Sequence, residues 1–158
     1  MKQSKSLLLI FILLAFSALS SCGGDDVPDL TPEEQRLVDL AGTESGVTWA
    51  TTSVTFDGAP SDFFGDLTIT FRGTATSKTY TSTNGVPLFN ASGTWAFSGT
   101  DIGKLVFDGD GGNIYSINVN SSATPATLTM TVNYTASGGV AAGVNGANGT
   151  YVFNMAQQ

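Results

Sequence analysis

From Val47 to the end of the chain, large apolar residues alternate with Thr, Ser and Asn, and that period of two restricts the fold more than any other feature. Leu128, Met130, Val132 and Tyr134 stand between Thr127, Thr129, Thr131, Asn133 and Thr135. The same pattern recurs with Leu67, Ile69 and Phe71, with Trp95 and Phe97, and with Tyr115, Ile117 and Val119. Successive side chains of a strand point to opposite faces, so each run has one apolar and one wet face. Further strands are predicted at 47–57, 76–83, 104–107 and 150–155. Turn dipeptides separate the runs at Asp57-Gly58, Asn84-Gly85, Asp108-Gly109, Asn145-Gly146 and Asn148-Gly149. No helical crossover lies between the runs, so the sheet is expected to be antiparallel. Eight sequential strands with a single apolar face close into an all-β up-and-down barrel, and a Greek-key β-sandwich is the alternative.

Two segments precede the barrel. In Thr31-Pro32-Glu33-Glu34, Thr31 can cap a helix, Pro32 suits its first position and Glu34 completes a capping box. Leu37, Val38 and Leu40 supply an apolar face and Gly42 a stop, which predicts one short helix over 32–41. Upstream, Lys2 and Lys5 are followed by an apolar run from Leu7 to Phe16 and then by Leu19-Ser20-Ser21-Cys22. The apolar core is too short to span a bilayer and small residues precede the cysteine, as in a cleaved export signal. Leu-Ser-Ser-Cys resembles the lipobox of bacterial lipoproteins, which implies a signal peptide over 1–21 and acylation of Cys22. Residues 22–30 then read as a flexible polar tether and 31–158 as the barrel domain with its leading helix. The acidic Gly23-Gly24-Asp25-Asp26 resembles the start of surface-displayed lipoproteins of Bacteroidetes-type bacteria. The expected location is therefore the outer membrane, lipid-anchored, facing either the cell surface or the periplasm.

Charge and missing residue types narrow the function. Beyond the signal the cations are Arg36, Arg72, Lys78 and Lys104, against all 13 acidic residues. Nucleic acid is disfavoured as a partner, because phosphate binding needs clustered Lys and Arg. Membrane association is expected to come from the lipid on Cys22 and not from charge. The chain contains no histidine, so the commonest general base and zinc ligand is missing. Glutamate ends at Glu44, and Asp57, Asp62, Asp66, Asp101, Asp108 and Asp110 all fall at turns or strand edges, where solvated turn formers belong. No nucleophile-elbow serine and no phosphate-binding glycine motif is present. No enzymatic activity and no cofactor are expected.

The pattern Gly93-Thr94-Trp95-Ala96-Phe97, together with Leu40-Ala41-Gly42-Thr43, Trp49, Val54-Thr55-Phe56-Asp57-Gly58, Leu67-Thr68-Ile69-Thr70-Phe71 and Leu128-Thr129-Met130-Thr131-Val132, resembles the lipocalin-like lipoproteins of Bacteroidetes-type bacteria. The resemblance implies a lipocalin-like barrel, and Gly46 stands closest to the family's glycine ahead of Trp49. Two functional classes follow. In one, a small apolar or amphipathic ligand sits at one barrel end; in the other, a solid-core barrel acts through its surface as an interaction or envelope-structural module. The ten aromatics expected to face inward, Trp49, Phe56, Phe71, Trp95, Phe97, Phe107, Tyr115, Tyr134, Tyr151 and Phe153, argue for a packed centre and a shallow site.

That site is expected at the end bounded by the apolar loop Val86-Pro87-Leu88-Phe89 and the glycine-rich stretch Ala136 to Gly149, with Trp95, Tyr151, Leu88 and Phe89 as contacts. The apolar loop reads either as a flap packed over the barrel mouth or as an exposed contact patch, the flap being preferred. Asp108, Asp110 and Asn113 place oxygen ligands in a glycine-rich turn, a partial calcium loop that lacks an oxygen side chain at Gly112 and a later glutamate. A flexible connection is the preferred reading of that turn.

Overall fold

The computed structural model describes residues 29–42, 45–136 and 147–158. The signal segment, Cys22 and most of the tether and of the glycine-rich stretch lie outside the described residues. Helix α1 (Pro32–Ala41) has the predicted bounds, with Thr31 and Glu34 forming the capping box and Gly42 ending it at φ +64°. It buries Leu37, Leu40 and Ala41.

The strands are β1 (Val47–Phe56), β2 (Ala59–Ser61), β3 (Thr68–Gly73), β4 (Lys78–Thr83), β5 (Ser92–Ser98), β6 (Asp101–Phe107), β7 (Tyr115–Asn120), β8 (Thr127–Tyr134) and β9 (Gly149–Gln157). Every pairing is antiparallel, and the sheet closes through β1 and β9 from Trp49↔Gln157 to Phe56↔Tyr151. This is the expected lipocalin-like up-and-down barrel of eight strands, with β2 as an addition. The short β2 folds back on β1 through Asp57-Gly58, both at positive φ, and pairs Phe56↔Ala59. Such a two-residue turn matches the right-handed twist of its strands. β2 was not anticipated, since Ala59-Pro60-Ser61 carries no alternation of large residues. β6 starts at Asp101, three residues before its predicted bound, because Gly99 at φ +61° makes a tight turn out of β5.

A bulge at Thr52 solves a parity problem in β1. Trp49 and Phe56 are seven residues apart, so strict alternation would place them on opposite faces. The register shift between Thr51 and Ser53 inserts one residue, leaving Trp49 and Val54 buried and Phe56 packed against the core. Rings fill the centre: Trp49, Phe71, Tyr80, Phe89, Tyr115, Tyr151 and Phe153 are all essentially fully buried.

The two ends differ. At one, α1 packs over β1 and β3, and the Trp49 indole Nε1 donates to the Leu40 carbonyl at 2.9 Å. Gly73 lets Leu37 approach the barrel, since a Cβ there would lie 2.8 Å from Leu37 Cδ1 and 3.3 Å from the Trp95 ring. The strand directions put the connections 57–67, 84–91 and 108–114, with the end of β8 at Tyr134 and the start of β9 at Gly149, at the other end, the mouth.

Candidate functional site

The mouth is organised by the connection from β4 to β5. Asn84 turns the chain at φ +60°, Phe89 N–H donates back to the Gly85 carbonyl, and Phe89 drops into the barrel at 1 % exposure while Val86 stays 68 % exposed. Its ring meets Phe107, Tyr115 and Phe153 at centroid distances of 5.1, 5.2 and 6.0 Å. The loop is therefore a packed flap. Tyr115 holds it from below, its hydroxyl donating to the Leu88 carbonyl at 3.2 Å. Burial, aided by the repulsion of neighbouring Tyr134, Tyr80 and Asp110, pushes the Tyr115 phenol well above its ordinary pKa.

Asp108 ties the flap to the wall. After β6 the chain turns through Asp108-Gly109, both at positive φ, with Asp110 N–H donating to the Phe107 carbonyl. This presents the Asp108 carboxylate sideways to β5. It accepts from the Tyr80 hydroxyl at 2.7 Å, the Asn90 side-chain amide at 2.9 Å and the Thr94 N–H at 2.8 Å. The Tyr80 hydroxyl in turn accepts from Asn90 N–H. Gly93 makes room, because a Cβ there would collide with the Asp108 carboxylate. Burial works to raise the Asp108 pKa, but the hydrogen bonds from Tyr80, Thr94 and Asn90 outweigh it and hold the carboxyl below its usual range. Burial and the adjoining Asp108 carboxylate raise the Tyr80 pKa.

Between flap and turn lies an open pocket of about 220 Å³. Pro87, Leu88, Phe107, Tyr115 and Tyr134 supply its apolar lining; Asn90, Asp108, Asp110, Asn113 and Thr135 supply the polar one. It exists because β6 and β7 diverge beyond the pair Leu105↔Tyr115, so the turn between them leaves the ladder. Asn113 fixes that turn: its side-chain Oδ1 accepts from Thr135 N–H at 2.9 Å, and its side-chain Nδ2 donates to Asp110 at 2.8 Å. Hydrogen bonds from the Asn113 side chain and Gly112 N–H lower the Asp110 pKa. A shallower hollow of about 530 Å³ lies between β2 and the turn before β3, lined by Thr52, Ser53, Pro60, Asp62 and Asp66 among others.

The residues singled out from the sequence are only partly brought together. Leu88 lines the mouth pocket with Asp108, Asp110 and Asn113, and Phe89 plugs the barrel beneath the flap. Tyr151 is also in the mouth half, but fully buried against Phe56 and Phe64, its hydroxyl donating to the Ala147 carbonyl at 3.0 Å. Trp95 is elsewhere. Its indole Nε1 donates to the carbonyls of Arg72 and Thr79, and its ring lies beside Gly73 at the α1 end, so a ligand at the mouth would not touch it. Asp108, Asp110 and Asn113 share the pocket, and each accepts hydrogen bonds from the chain. Among the described residues no group of three acidic, His or Cys side chains is gathered for a metal.

Sequence reasoning missed Asn90, Tyr80 and Tyr134 as mouth residues. The first two are joined to Asp108 across 18 and 28 positions, which no local pattern reveals. The glycine within the β5 pattern was the available signal, since an interior strand glycine often marks a close approach.

Compared with known proteins, the chain matches a family model described as a lipocalin-like domain over residues 45–130. Neither the curated proteins nor the solved structures yield a match.

Proposed function

The chain belongs to the lipocalin-like domain family, and from that premise we propose that it is a non-enzymatic lipoprotein of the cell envelope whose barrel mouth takes up a small apolar or amphipathic molecule. The observation that carries this reading is the pocket of about 220 Å³, with aromatic walls and an amide and carboxylate rim, at the end opposite α1. Binding sites for small molecules combine mostly apolar walls with a few placed polar groups, and those of drug-sized ligands enclose about 300–1,000 Å³. The mouth thus suits a compact ligand or one end of a longer one, held above the plug formed by Phe89. An eight-stranded barrel has an interior at the limit between filled and ligand-holding, so a mouth site is the natural outcome when rings occupy the centre.

Titration with a panel of amphiphiles, followed by amide chemical shifts, tests the site. Saturable shifts are expected at Phe89, Asn90 and the Asn113 side chain, with none at the Trp95 indole. A panel without saturable shifts at those groups would favour the second reading, a solid-core module acting through its surface. The filled interior favours that reading.

The anchor is a separate expectation. Metabolic labelling with a fatty-acid analogue should mark the wild-type protein, and Cys22→Ser should remove the label and leave an uncleaved or soluble precursor. Equal labelling of both would end the lipoprotein assignment. With the lipid in place the protein is held at the outer membrane, facing the cell surface or the periplasm, and needs no cofactor.

A further inference from the structure

Charge is distributed unevenly along the barrel axis. Asp57, Asp62, Asp66, Asp108 and Asp110 all lie in connections at the mouth, and all are exposed. The connections 57–67, 84–91 and 108–114 contain no Lys or Arg, nor does the sequence between Tyr134 and Gly149. Arg36, Arg72 and Lys78 are on α1 or beside turns at the opposite end, where Lys78 approaches Glu33, and Lys104, midway along β6, pairs at 2.9 Å with Asp101 on the side away from the mouth. Charges of one sign around a concave, low-dielectric wall focus the field on what enters it. A carboxylate or phosphate approaching this mouth meets like charge and, among the described residues of the pocket, no Lys or Arg.

We propose that the mouth pocket selects amphiphiles with a cationic head, an ammonium on a short apolar body, over anionic ones of the same shape. The inference rests on the ligand-binding reading above and names the ligand class for that same site. Asp110 accepts hydrogen bonds from Gly112 N–H and from the side chain and backbone of Asn113, and a carboxylate has about four acceptor positions. Capacity therefore remains for an ammonium donor. The rings of Tyr115, Tyr134 and Phe107 line the same pocket, and aromatic faces attract cations within about 6 Å. Their apolar surface is equally able to cover a short alkyl chain, so head and body are served by adjoining walls. Of the two carboxylates, Asp108 is engaged in holding the flap, which leaves Asp110 as the head-group partner.

Three probes of one chain length, hexylammonium, hexanol and hexanoate, separate the possibilities on the full mature protein. Amide shifts at Asn90 and Asn113 report occupancy, and calorimetry reports affinity. Hexylammonium is expected to bind tightest and hexanoate weakest, and the amine should weaken as salt is added because exposed charges are screened. Asp110→Asn should weaken the amine about tenfold, a loss typical of one charge-assisted hydrogen bond, while leaving hexanol unchanged. Asp101→Asn, at the α1 end, should change nothing, which separates a local partner from net charge. If hexanoate or hexanol binds as tightly as the amine, or Asp110→Asn leaves the amine's affinity intact, the cationic preference is wrong while the mouth remains a binding site. If none of the probes binds, the ligand-binding reading falls with it.

Discussion

Replacing Phe107 with alanine is expected to destabilise the protein by about 3–5 kcal/mol, the range for removing a buried aromatic ring. Phe107 is 4 % exposed and its ring meets four others: Tyr115 at 4.8 Å, Tyr80 at 5.0 Å, Phe89 at 5.1 Å and Phe71 at 5.9 Å. Most of these contacts are steep edge-to-face arrangements, the geometry in which ring quadrupoles attract. The four partners come from β3, β4, the flap and β7, so no single backbone movement can close the void. Against a total stability of roughly 5–15 kcal/mol, such a loss removes a large share. Denaturant unfolding with an unchanged slope would register it as a shifted midpoint. A loss under about 1 kcal/mol would mean that the surrounding rings repack freely, contrary to a close-packed centre.

Asp108→Ala is expected to act differently, freeing the flap more than weakening the core. It leaves the Tyr80 hydroxyl, at 1 % residue exposure, without its acceptor, and takes partners from Asn90 and Thr94 as well. A buried donor left unpaired costs about 1–3 kcal/mol. Hydrogen exchange at Asn90 N–H should accelerate markedly, while exchange along β8 and β9 follows only the global change. Acid provides an independent reading. Because the folded protein holds the Asp108 pKa below its ordinary value, the unfolded chain takes up the proton first. The stability from this group is complete above the unfolded pKa and is lost as pH falls through the folded one. Asp110, Asp101 and Glu34 are lowered too, by hydrogen bonds led by those from Asn113, Lys104 and Thr31 respectively, and they add to the same acid limb. Wild type should lose stability below about pH 4 more steeply than Asp108→Ala, since the variant lacks one of these groups. Identical acid limbs would show that the carboxylate is not held as described.

What the sequence disclosed, and what it hid, divides along the range of the interactions. α1 was legible to its ends because capping box, proline and stop glycine lie within a dozen residues. The barrel was legible because alternation is local: Leu128, Met130, Val132 and Tyr134 are all buried, as their spacing required. The bulge at Thr52 was implicit in the parity of Trp49 and Phe56, though nothing local marks where the extra residue goes. Trp95 was rightly placed inside and wrongly placed at the mouth, because periodicity settles which face a residue occupies but not how far along the barrel it sits. The pocket rim was least visible, since Asp108 finds Tyr80, Asn90 and Thr94 only after β4, β5 and β6 are paired.

Helix α1 and the mouth stand at opposite poles of the barrel, and for a tethered molecule that sets an orientation. Asp29 and Leu30, the last described residues ahead of Thr31, leave the fold at the α1 pole, and both are exposed. A lipid on Cys22, separated from Asp29 by six residues in the sequence, would moor that pole next to the bilayer. An extended strand advances about 3.3 Å per residue, so the mouth would stand a full barrel height above the head groups. It would then sample the surrounding fluid and not the leaflet below. Uptake from that fluid would not require the protein to dip into lipid, and release would return the cargo to solution away from its own anchor.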